Sequence, residues 1–149
     1  MLALLSEIEV PLSETLSAME FEGFLIDSDG IVNFDKELSD MLSSLRNNIY
    51  ESAGEEFNIN SPKQLGVILF EKMGLPPIKK TKSGYSTNAD VLEKLKNKHP
   101  IIPAIMDYRM LTKLKSTYAD GLLKVICDDG RIRTTFQNLV TATGRLSST

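Results

Sequence analysis

A chain of 149 residues with 42% hydrophobic and 25% charged content has the material for one ordinary domain with a packed core, and it lacks the bias of a disordered or fibrous chain. One cysteine (Cys127) and one histidine (His99) exclude an internal disulfide and Cys/His zinc sites; no apolar run nears the roughly 20 residues of a membrane span, and residues 1–10 hold Glu7 and Glu9 but no basic residue, unlike a secretory signal, so a reducing cytoplasm fits. The net charge of −3 averages unlike halves: residues 1–60 carry two basic against thirteen acidic residues, net −11, whereas 61–149 carry fifteen against seven, net +8. A polyanion partner for the second half explains that asymmetry, and so do two ordinary solvated faces.

The pattern along the chain is mostly helical. Leu12, Leu16, Ala18 and Met19 predict a short helix from Pro11 to Glu22, ended by Gly23. Phe24 to Ile26 reads as extended, and Asp27-Ser28-Asp29-Gly30 as a turn. Leu38, Met41, Leu42, Leu45 and Ile49 step by threes and fours, which predicts a long helix from Asn33 or Phe34 to Ala53, with Gly54 as its stop. Ser61-Pro62-Lys63-Gln64 has the form of a capping box with proline at the first helical position, opening a helix through Leu65, Ile68, Leu69 and Met73. Pro76 to Gly84 is too polar and too interrupted for regular structure; it reads as an exposed basic loop carrying Lys79, Lys80 and Lys82. Thr87-Asn88-Ala89-Asp90 caps a helix through Leu92 and Leu95, and Pro100 and Pro103 open a last helix to about Leu123. Beyond Asp128-Asp129-Gly130, residues Arg131 to Phe136 alternate as a strand does, and Val140 to Thr143 is β-leaning before Gly144. Two strands alone are marginal, so residues 131–149 are expected to be poorly ordered or abnormally paired without a partner sheet.

Catalytic constellations are absent from this pattern. His99 has no nucleophile partner and reads as a cap or packing residue. The pairs Asp27/Asp29 and Asp128/Asp129 occupy glycine-bearing turns and read as turn chemistry. Neither a Walker A loop nor Gly-x-Gly-x-x-Gly occurs. Nucleic-acid binding finds several cues. At 100° per residue, Tyr108, Leu111, Leu114 and Tyr118 form one face of the last helix, and Arg109, Lys113, Ser116 and Thr117 fall opposite. A cation and hydroxyl stripe suits a phosphate backbone, although an amphipathic helix shows the same pattern. Asn58-Ile59-Asn60-Ser61 and Ser86-Thr87-Asn88 surround two helix starts, where unpaired N–H groups attract phosphate, although capping alone also explains such residues.

The ordered set of short strings carries more than any of these. Glu9-Val10-Pro11-Leu12, Phe57 to Leu65, Leu69-Phe70 with Gly74-Leu75-Pro76, Lys79 to Thr87, His99-Pro100, Tyr108-Arg109 with Leu114 to Tyr118, Gly130-Arg131-Ile132 and Thr141 to Ser148 resemble, in this order and spacing, the family A DNA polymerases of the bacterial DNA polymerase I type. The resemblance implies a mostly α fold: residues 1–30 as a linker after an exonuclease-type domain, 31–125 as the helical thumb, and 126–149 as the short β start of the palm. It implies that the thumb holds primer–template duplex through the backbone and minor groove. Residue by residue, Asn58, Asn60 and Ser61 match thumb positions near the DNA backbone, and Ser86 and Thr87 match phosphate contacts at a helix start. Lys113 and Lys115 match the basic positions of the thumb helix, beside Arg109, Ser116 and Thr117, and Arg145 matches a primer-side arginine. Arg133 departs from the family's usual His after Gly-Arg-Ile, and Gln137-Asn138 inverts the usual Asn-Gln.

The family pattern continues past Ser148 into the metal-binding aspartates and the fingers, so the resemblance implies that the chain stops at an artificial or proteolytic boundary. It implies no catalytic residue and no cofactor within these residues, an inactive fragment by itself, and Mg²⁺ and dNTP for the full-length enzyme only, a bacterial cytoplasmic protein at the nucleoid with no membrane partner. Two alternatives stay open: a non-polymerase DNA-binding or interaction module on a thumb-like scaffold, and a folded piece with no DNA affinity.

Overall fold

The computed structural model describes residues 2–81 and 84–149, so Lys82 and Ser83 of the basic loop lie outside the described residues. The fold is mostly helical, as predicted, with five helices and a few two-residue strands among the described residues. Helix α1 covers residues 2–22 and α2 is Ser28–Ala53; α3 covers residues 62–72, α4 is Ala89–Leu95, and α5 covers residues 101–123. Two compact units divide them: the described residues up to Val32 together with Asp120–Thr149, and those of Asn33–Ala119.

The Asn33–Ala119 unit is built on one apolar core. Ile49 from α2, Leu65 and Leu69 from α3, Leu92 and Leu95 from α4, and Ile101, Ile102 and Ile105 from α5 are buried together with Ile59 from the connecting loop. Each such side chain contributes about 1.5–3 kcal/mol relative to exposure, more than a single net hydrogen bond at about 0.5–1.5 kcal/mol, so this core decides the unit's stability. Buried Gly66 lets the chain pack closely: a Cβ there would lie 3.2 Å from that of Tyr85, whose ring is tilted against Phe70 with centres 5.0 Å apart. Tyr85 belongs to strand β3 (Gly84–Tyr85), antiparallel to β2 (Lys80–Thr81). The basic loop thus contains a short ladder that its polar composition conceals, with Lys80 Nζ 5.6 Å from the Tyr85 ring centre.

The other unit joins the two ends of the described chain. Strand β1 (Phe24–Leu25) pairs antiparallel with β4 (Arg131–Ile132), and β5 (Phe136–Gln137) with β6 (Ser147–Ser148). Residues 131–149 therefore find strand partners, one of them more than a hundred residues upstream. Gly23 closes α1 at φ +70°, and a Cβ there would sit 2.8 Å from the Ile132 carbonyl oxygen.

Several boundaries differ from the sequence pattern. α1 begins at Leu2 and runs through Pro11, because the π-wound stretch Leu5–Glu9 just before it accommodates the missing N–H. α2 begins at Ser28 instead of Asn33: Asp27 Oδ1 accepts from the Gly30 amide (2.9 Å), making the supposed turn a helix cap. Met41, assigned to the buried stripe of α2, is exposed, while Leu38 and Ile49 are buried. Residues 140–143 form a turn and no strand, since Thr141 Oγ1 donates to the Arg145 carbonyl and Gly144 at φ +72° follows.

Candidate nucleic-acid interface

Two helix starts lie side by side in the Asn33–Ala119 unit. At the first, Ser61 is extended (φ −82°, ψ 113°), its hydroxyl accepts from the Gln64 amide (3.4 Å), and Pro62 follows. The reciprocal half of the box differs from the predicted form: Gln64 Oε1 accepts from the Asn58 amide (2.7 Å), three residues upstream of Ser61. Asn58 Oδ1 in turn accepts from the Asn60 amide (3.0 Å), so the loop is folded by its own amides. At the second start, Asn88 is the cap, with Oδ1 accepting from the Val91 amide (3.1 Å). The Ser86 amide donates to the Lys79 carbonyl (2.9 Å), which anchors the approach to that cap.

A cleft of about 660 Å³ opens between them, lined by Asn60, Ser61, Lys63, Ser86, Thr87, Asn88 and Arg109 among others. Asn60 and Asn88 are exposed, Ser61 is intermediate, and Ser86 and Thr87 are buried. Arg109 joins the walls. Its Nε donates to the Ile59 carbonyl (3.2 Å), Nη1 to the Thr87 carbonyl (2.6 Å) and Nη2 to the Thr87 hydroxyl (3.4 Å). Burial holds the guanidinium below the ordinary arginine value, yet arginine keeps its charge at physiological pH.

The other sequence-assigned residues are distributed over α5 and beyond. Lys113 is exposed, at a second hollow of about 380 Å³ shared with Leu92, Asp107 and Met110. Lys115 Nζ donates to Asp35 of α2, with both side chains about a quarter exposed. Ser116 and Thr117 are exposed, the Ser116 hydroxyl donating to the Lys113 carbonyl (3.2 Å). Arg145 is exposed in the other unit. The predicted faces of α5 fail at its C-terminal part: Tyr118 is 56% exposed, and Ala119 is fully buried. Residues Lys115–Ala119 are π-wound, and a wider turn advances the inward position by one residue. The sequence pattern sets Arg109 on the outward cation stripe opposite Tyr108 and Leu111; the structure turns it inward, and its spacing of four residues past Ile105 and seven past Ile102 is the signal that would have found this. His99 caps as expected, Nδ1 accepting from the Ile101 amide (3.2 Å).

A profile of DNA polymerase family A matches residues 28–149, and the chain belongs to that family. Particular relatives follow from whole-sequence comparison. The chain is 54% identical over 149 residues to DNA polymerase I of Bacillus subtilis (strain 168), covering 99% of this chain and 17% of that protein. It is 53% identical over 146 residues to DNA polymerase I of Geobacillus stearothermophilus, covering 97% of this chain and 17% of that protein. A solved structure described as the POL domain of Pol1 from M. smegmatis in complex with DNA primer-template and dNTP superposes with a TM-score of 0.87 at 42% identity, over 99% of this chain and 26% of that one. The chain thus spans about a sixth of the length of these curated relatives.

Proposed function

We propose that this chain is the thumb and the first palm strands of a DNA-directed DNA polymerase of replication and repair, and that it grips primer–template duplex through the backbone and minor groove. The observation that carries this reading is the likeness, at a TM-score of 0.87 over 99% of the chain, to a polymerase domain described with primer-template and dNTP. The surface chemistry agrees with it. Exposed Asn58, Asn60 and Asn88, with Ser61, offer hydrogen-bonding groups at two helix starts, and exposed Lys113 with Ser116 and Thr117 offers charge and hydroxyls along α5. Such contacts fix register on a duplex without reading bases. Ser86 and Thr87 serve the same surface from inside, by shaping the second start, and Lys115 reaches it from its pairing with Asp35. Arg145 lies near the primer terminus in this reading.

Nucleotidyl transfer belongs to the complete enzyme, which works on DNA in the bacterial cytoplasm. Among the described residues no group of three His, Cys, Asp or Glu side chains is placed to hold a metal ion, and no helix is long and apolar enough to cross a membrane. In this reading Mg²⁺ and dNTP belong to the full-length polymerase, and the chain by itself is inactive. Fluorescence anisotropy of a labelled primer–template duplex at several salt concentrations tests the grip. The expected result is sequence-indifferent binding whose log K falls with log salt by about 0.9 for each phosphate neutralised. Salt-independent or strongly sequence-dependent binding overturns it.

A further inference from the structure

We infer that Arg109 serves DNA binding as a positioning residue: it holds the two helix starts at a fixed separation, and it does not itself neutralise a phosphate. This inference rests on the duplex-gripping reading above. The first ground is the direction of the side chain. Arg109 follows Ile102 and Ile105 on the buried stripe of α5, and all three guanidinium nitrogens donate to acceptors of this chain. The second ground is where those acceptors lie. The Ile59 carbonyl belongs to the loop that presents Asn60 and Ser61, fifty residues away in sequence, and Thr87 immediately precedes the cap Asn88, twenty-two residues away. Ile59 and Thr87 are 2% and 3% exposed, so their polar groups find little water in exchange for the arginine. A planar fork satisfies both walls at once; an ammonium, a point charge on a flexible stem, cannot hold that geometry. Lys113, one turn further along α5 and exposed, is placed for charge neutralisation instead.

Salt dependence separates the two roles, because a lost ionic contact removes counterion release and a lost neutral contact does not. Duplex binding by Arg109→Ala and Arg109→Lys is measured by anisotropy across a salt series, with Lys113→Ala as reference, at a temperature where circular dichroism shows every variant folded. Both Arg109 variants are expected to bind roughly tenfold or more weakly at every salt concentration with the wild-type slope, lysine failing to rescue. Lys113→Ala is expected to lower the slope by about 0.9. In the absence of DNA, the amide signals of Asn60, Ser61, Thr87 and Asn88 shift in Arg109→Lys, while that of Leu69 stays in place. A slope lowered by about 0.9 in Arg109→Ala, or near-wild-type affinity in Arg109→Lys, makes Arg109 a direct contact and overturns the inference. Unmoved amides at both starts overturn it as well, whatever the DNA result. Absence of duplex binding by the wild type at low salt with shifted amides removes the DNA role by sinking the duplex-gripping reading, and leaves the structural tie standing.

Discussion

The Asn33–Ala119 unit and the unit formed by the chain's two ends are held by different chemistry. The first buries a continuous set of aliphatic side chains from α2, α3, α4 and α5. In the second, Leu16 is the one buried large hydrophobic side chain among the described residues, whereas Leu2, Phe21, Leu25, Leu139 and Val140 are exposed. Its segments are tied by polar contacts: Arg131 pairs with Glu22 (3.0 Å), Arg133 Nε donates to the Phe21 carbonyl (3.0 Å), the Phe136 amide donates to Glu20, and Asn138 donates to Glu9 (2.9 Å). Burial scales with area and resists change of solvent, whereas exposed ion pairs are worth about 0–1 kcal/mol and are screened by salt. One unit therefore carries its own stability, and the other draws its geometry from contacts between distant segments.

Ile102→Ala probes that difference most strongly. It deletes a fully buried side chain from the core and is expected to cost about 2–5 kcal/mol in denaturant unfolding; a loss below about 1 kcal/mol breaks the assignment of stability to this core. Glu20→Ala acts on the other unit. It leaves the part-buried Phe136 amide without its acceptor, for about 1–3 kcal/mol, and accelerated amide exchange is expected in residues 131–149 while α4 keeps its protection. Equal acceleration in α4 would mean that the units unfold together. Asn88→Ala removes the cap of α4 at about 1 kcal/mol and, unlike Glu20→Ala, is expected to lower protection in α4 alone.

Acid gives the smallest effect. The exposed Asp129 carboxyl is held below its usual value chiefly by its hydrogen bonds with Arg133, with the Arg131 amide adding to this and burial opposing it. A carboxyl depressed in the folded state stabilises fully above its unfolded value, about pH 4, and that contribution fades as pH falls through the folded value. Asp129→Asn is expected to flatten this part of the acid unfolding curve slightly, leaving the curve above about pH 5 parallel to that of the wild type. An unchanged acid limb would show that the Arg133 pair adds nothing to folding.

Short-range chemistry was legible from the residues. Ser61-Pro62, Asn88 and His99 cap where their side chains reach a helix start within a few residues, and Leu65, Leu69, Leu92 and Leu95 fall inward at helical spacing. The family was legible as well, because its strings keep their order through the chain. What escaped depends on neighbours distant in sequence or on a change in helical winding. The wheel of α5 sets Arg109 on the outward cation stripe with Lys113, and only the fold brings Ile59 and Thr87 to meet it inside. A 100° wheel places Tyr118 inside, and the π turn replaces it with Ala119. The β1–β4 pairing joins segments over a hundred residues apart, and two-residue strands have no periodicity to announce them. The sequence by itself determined caps, helices and family, because these follow from contacts within a turn or two; tertiary structure decided which polar side chains support the cleft and which face out of it, because that depends on what the far segments leave to be bonded.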